Sequence, residues 1–181
     1  MSQSSTMFQR WRHAHGYGVH SPFGYQLVSR AVCPGSYAWY GYEDIENSIP
    51  HGISRRVRRE ARMFLRLVAT LNPQSVFIPN GIEAPYLAAL HAADSRIKTT
   101  HAMCSAAECE LICTHGDFVP LDIIKTSLQI PGHWVTVRDV PEGWDDEIFE
   151  ALPQGLVFRG KHNLLVIHRP GMQKILYPMS I

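Results

Sequence analysis

The chain has 181 residues, 45% of them hydrophobic and 18% charged, with a formal net charge of +1. That length carries one domain with a sizeable core, and the near-neutral balance excludes a global pull toward nucleic acid or a membrane surface. No apolar run reaches the roughly 18 residues of a membrane span, MSQSSTMFQRWRHAHGYG lacks the apolar stretch of a secretory signal, and four cysteines make no disulfide scaffold. The expectation is a cytoplasmic protein with reduced thiols.

In chain order, residues 1–7 are polar, and 8–30 carry aromatics, glycines and histidines. Ser21-Pro22 predicts a helix start, with Ser21 as N-cap and Pro22 in the first position. Phe23, Leu27 and Val28 form its buried side. A turn-rich connection covers 33–41, and 43–48 is a short acidic helical turn. Ser54 caps the clearest helix, 55–71, where Val57, Ala61, Phe64, Leu65, Val68 and Leu71 follow the 3.6-residue period. Asn72-Pro73 ends it.

Residues 75–90, SVFIPNGIEAPYLAAL, predict a strand, a tight turn and a helix. Val76, Phe77 and Ile78 form a β-prone run suited to burial on both faces. Pro79, Asn80 and Gly81 stop it, and Glu83 restarts the chain as a helix that tolerates Pro85 in its first turn. A helix start just after a strand end is where nucleotides bind in doubly wound sheets. Further strands are expected over 96–100, 110–114, 134–140, 156–159, 164–169 and 174–179, with helices over 121–128 and 144–152. Hairpin-like turns are expected at 160–163 and 170–173. The alternation predicts an α/β fold with a mostly parallel sheet and an antiparallel C-terminal edge. A helical N-terminal arm, 1–54, precedes a single compact unit, 55–181.

HGYGVHSPFGYQLV at 15–28 resembles the His-Gly-x-His-Ser-Pro-Phe arm of a class I S-adenosylmethionine-dependent methyltransferase-like family of Bacteroidetes. The later parts fall in the family's order. An Arg-rich helix ends in FLRLV, NPQSVFIPNG lies where the cofactor loop would be, and APYLAAL is the following helix. HWVTVRDVPEGWDDEIFEAL is similar to the late strand and helix, and GLVFRG with KILYPMSI to the terminal antiparallel strands. The resemblance implies a three-layer, Rossmann-like methyltransferase fold that takes S-adenosylmethionine near Asn80, Gly81 and Glu83 and methylates a small-molecule acceptor. The chain departs from the family pattern in the loop, where Gly81 alone remains of a Gly-x-Gly-like turn. It departs again after the second strand, where no carboxylate occurs until Glu108, and at His115-Gly116, where the family has Asp-Gly. One β-α unit is missing from the middle. The alternative is a catalytically inactive relative that works through a protein partner or a homodimer.

Each candidate residue has a structural counterpart. Asn80 is a ligand donor and Glu83 a replacement carboxylate, or both belong to a plain strand-to-helix turn with Glu83 placed for the helix dipole. His13, His15 and His20 form H-x-H-x4-H, and His20 is the candidate catalytic base; the alternative is local hydrogen bonding that fixes the arm. His101, Cys104, Cys109, Cys113 and His115 are clustered but lack the close C-x2-C pair of zinc sites, so no metal is assigned. Arg55, Arg59, Arg62 and Arg66 share a helix face that suits phosphate, but an exposed basic face is ordinary for a surface helix. The acidic run 142–150 is its expected counterweight, within the fold or across a dimer. Nucleic acid is therefore not an expected partner. Trp134, Trp144, Tyr86 and Phe118 are expected near the carboxyl ends of strands, for packing or for stacking.

Overall fold

Six largely apolar runs and the polar, exposed Lys98–Thr100 become the seven strands of one sheet. They are β1 (Ser75–Phe77), β2 (Lys98–Thr100), β3 (Leu111–His115), β4 (Trp134–Arg138), β5 (Gly155–Arg159), β6 (Asn163–His168) and β7 (Ile175–Pro178). The computed structural model describes residues 18–33, 39–49 and 52–179, and the Glu83 side chain lies outside that description, as do His13 and His15. The helices are α1 (Pro22–Leu27), α2 (Gly41–Ser48), α3 (Arg55–Leu71), α4 (Glu83–Ala93), α5 (Leu121–Ser127) and α6 (Trp144–Ala151). A π turn, Val28–Val32, extends α1, and a 3-10 segment, Met103–Glu108, joins β2 to β3.

The strand order is β2-β1-β3-β4-β6-β5-β7. β1 pairs parallel with β2 and β3, and β3 parallel with β4. β6 runs antiparallel to both β4 and β5, and β7 pairs parallel with β5. The sheet is thus mostly parallel with one reversed strand. The turn at 160–163 closes a hairpin as expected. The turn at 170–173 does not, because the last strand passes β6 and adds outside β5 in the parallel sense. Alternation along the strands feeds two cores. Val76, Ile78, Leu111, Cys113, Leu156 and Phe158 face the layer of α1, α2, α3 and α4. Phe77, Ile112, Val135, Val137, Val157 and Val166 face α5, α6 and the 3-10 segment. Each fully buried aliphatic or aromatic side chain contributes on the order of 1.5–3 kcal/mol.

Local chemistry sets the helix starts. The Ser21 hydroxyl accepts from the Gly24 N–H at 3.1 Å, and the Ser54 hydroxyl accepts from Val57 N–H at 3.3 Å. Asn72 closes α3 in the left-handed region, with φ 49°. The expected arginine face is open only in part: Arg55 and Arg59 are exposed, whereas Arg62 and Arg66 are engaged. Arg66 is buried, and its Nε donates to the Ala31 carbonyl at 2.7 Å while a second nitrogen reaches the Tyr42 hydroxyl. It thereby ties the π turn and α2 to α3. Arg58 and Arg62 both pair with Glu46. The acidic run is engaged elsewhere, since Glu147 pairs with Lys125 and Asp145 with Arg159. Among the described residues no helix is long and apolar enough to cross a membrane.

Candidate functional site

The chain leaves β1 toward β2 by way of α4 and returns to β3 on the other side of β1. Those crossovers lie on opposite faces of the sheet, so the carboxyl ends of β1 and β3 form a topological switch point. This is where ligands enter open α/β sheets. Two loops flank it: Ile78 to Ile82 after β1, and Gly116 to Phe118 after β3.

In the first loop Pro79 is buried while Asn80 and Gly81 are exposed. Gly81 adopts φ +95°, a conformation that other residues reach only under strain. A Cβ there would meet only the Phe118 ring, at 3.8 Å, so no backbone is packed against Gly81. Phe118 is 45% exposed and stands edge-on to His115, with ring centroids 5.8 Å apart. α4 begins at this loop without a side-chain cap, unlike α1 and α3, so the N–H groups of Glu83 and Ala84 are left for water or a ligand, Pro85 having none.

The titratable groups stand beside the second loop, His115 at the end of β3 and Asp139 just after β4. His115 Nε2 lies 2.8 Å from Asp139 Oδ2. A carboxylate only accepts, so Nε2 carries the hydrogen of the neutral ring and Nδ1 carries the lone pair. Nδ1 is shielded from solvent and has no hydrogen-bond partner among the described residues. Such an orphaned acceptor costs about 1–3 kcal/mol. Asp139 is itself strained, with φ +50°, and conformations of that kind cluster at functional sites. The other Asp139 oxygen binds Arg56, from α3. Arg56 Nε also reaches Glu60 at 2.9 Å, and Glu60 accepts from Arg138 at 3.0 Å. Two cations and two carboxylates thus clamp α3 onto the ends of β3 and β4. Burial alone would raise the Asp139 carboxyl, but the hydrogen bonds from Arg56 and His115 hold it below its ordinary value.

The sign of that shift makes a prediction. A depressed carboxyl stabilises the fold above its unfolded value, about 3.9, and the contribution is lost as pH falls through the lower folded value. Asp139→Asn is expected to lower stability at neutral pH and to flatten its decline below about pH 4. Urea midpoints from neutral to acid pH measure this; an acid limb identical to that of wild type would rule the pairing out as a source of stability.

No family model, curated protein or solved structure matches the chain.

Of the residues singled out from sequence, Asn80 and Gly81 lie at the crevice. Glu83 opens α4 beside them. His20 lies elsewhere: its backbone hydrogen-bonds the Tyr177 hydroxyl on β7. β7 and β1 are five strand spacings apart, roughly 24 Å at about 4.8 Å each. Trp134 is the first residue of β4, so it sits at the amino end of the sheet, not the carboxyl end. Tyr86 packs edge-on to Phe64 inside the core, whereas Phe118 stands at the crevice as expected. Among the described residues no three His, Cys, Asp or Glu side chains are grouped to hold a metal ion. Cys113 points into the core, where burial pushes its thiol well up.

Sequence reasoning missed Asp139 and the pairing of His115 with it. The signal was present: each is a polar residue directly ending an apolar strand, LICT before His115 and WVTVR before Asp139. That the two strands are neighbours was not readable.

Proposed function

We propose that this chain is a methyltransferase-like protein that binds a nucleoside-bearing cofactor, S-adenosylmethionine, at the switch point and acts on a small-molecule acceptor. The observation that carries the reading is the unpartnered Nδ1 of His115, held by Asp139 at the crevice. The residues present fit the group. Gly81 lies beside an exposed aromatic ring with no backbone packed against it, and the uncapped start of α4 supplies the N–H groups of Glu83 and Ala84. When bound, the cofactor supplies an electrophilic methyl group. The chain's part is positioning and proton handling. His115 is the residue that takes the proton of the acceptor's hydroxyl or amine, its shielded Nδ1 being uncovered as the ligand seats, and Asp139 orients the ring and stabilises the imidazolium that forms. On this reading the base is His115, which the fold brings to the crevice, and not His20.

A second reading has its own support. The residues after β2 are His101 and Ala102, where a nucleotide-binding sheet has a carboxylate for the ribose. It makes the chain a scaffold without a cofactor, working through a protein partner or a second copy. Calorimetric titration of the full chain with S-adenosylmethionine and S-adenosylhomocysteine separates the two. Micromolar binding, about 8 kcal/mol, is expected under the first. No heat at millimolar ligand, from protein shown to be folded, would overturn it in favour of the second.

A further inference from the structure

β2 ends at Thr100, beside the end of β1, and the two strands run parallel in register, Phe77 against Thr100. The next residue, His101, turns its ring back across this junction. Its Nδ1 lies 2.7 Å from the Ile78 carbonyl oxygen. A carbonyl oxygen cannot donate, so in this contact Nδ1 carries the hydrogen. The opposite ring nitrogen, Nε2, is then an acceptor, on a residue that is exposed to solvent.

The position has a defined task in dinucleotide-binding sheets: an acidic residue at the end of the second strand accepts hydrogen bonds from ribose hydroxyls. The task needs an acceptor, held in place, facing the crevice; it does not need a negative charge. We infer that His101 Nε2 is the acceptor for a ribose hydroxyl of the ligand, in place of the strand-end carboxylate. The inference rests on the proposed nucleoside-binding reading and adds the residue that selects the sugar. The Ile78 carbonyl fixes both the ring and its tautomer, so the acceptor is preorganised. A single imidazole nitrogen accepts one hydrogen bond where a carboxylate accepts two hydroxyls, so the preference for a hydroxylated sugar is smaller than a carboxylate would give.

The test compares S-adenosylhomocysteine with its 2′,3′-dideoxy analogue, titrated into the full-length wild type and into His101→Phe and His101→Asp. Wild type is expected to prefer the hydroxylated ligand roughly tenfold. His101→Phe keeps a ring but no acceptor, and is expected to bind both ligands equally. His101→Asp should keep the preference or enlarge it. The ratio of affinities is the readout, because loss of the Ile78 contact alone would lower both affinities together. A full preference retained in His101→Phe would overturn the inference while leaving the nucleoside reading standing. Failure of folded wild type to bind either ligand would overturn both.

Discussion

Gly155→Ala is expected to remove about 4 kcal/mol or more of stability, enough to leave little folded protein, since domains of this kind hold about 5–15 kcal/mol in all. Gly155 opens β5 with φ +130°, and a Cβ there would sit 1.9 Å from the Ile167 carbonyl oxygen and 2.9 Å from the Arg169 nitrogen. Both are backbone atoms of the adjoining chain, so no rotamer change relieves the contact. Relief requires separating β5 from β6 where Gly155 pairs with His168. That ladder holds the reversed strand in place, and β7 hangs on β5 alone. Gly171→Ala is the control. It has φ +78° with nothing within 4 Å, so it carries the backbone strain without the clash, about 1–2 kcal/mol. Denaturant midpoints of the two variants decide the matter. Equal losses would mean that the β5–β6 junction yields easily.

Gly81→Arg is expected to weaken S-adenosylhomocysteine binding by about a hundredfold or more, equivalent to about 2.7 kcal/mol, while the protein stays folded. The new Cβ meets no backbone; only the Phe118 ring lies near it, at 3.8 Å. The fold therefore accommodates the substitution, and under the proposed reading the arginine stands where the cofactor would. Strain from φ +95° costs about 1–2 kcal/mol of stability, and Gly132→Arg matches it, with φ +88° in open space before β4. If Gly132→Arg binds as wild type does and Gly81→Arg does not, the loss belongs to the crevice. Equal affinity in Gly81→Arg and wild type would defeat the pocket.

The parts of the fold legible in the sequence are those set by neighbours along the chain. The serine caps of α1 and α3 are local, as is the stop at Asn72, and all three are found as expected. The apolar runs of β1 and β3 are buried on both faces, because a central strand has no polar side to show. The short path between β2 and β3 was legible only as a gap. The structure fills it with a six-residue 3-10 segment, Met103–Glu108.

The candidate site divides along the same line. A strand, a glycine turn and a helix start at 75–90 are consecutive, so residue types alone point to the loop where Asn80 and Gly81 stand. His115 and Asp139 are 24 residues apart, and His101 and Ile78 are 23 apart. Each pair meets because parallel strands align their ends in space. Arg56 joins Asp139 across 83 residues, because α3 lies over the ends of the same strands. Composition, caps and periodicity thus decide the class of fold and the place of the turn between β1 and α4. Strand order decides which polar groups face each other there. Strand order is a property of hydrogen bonds between distant segments, and no residue's own preference encodes it.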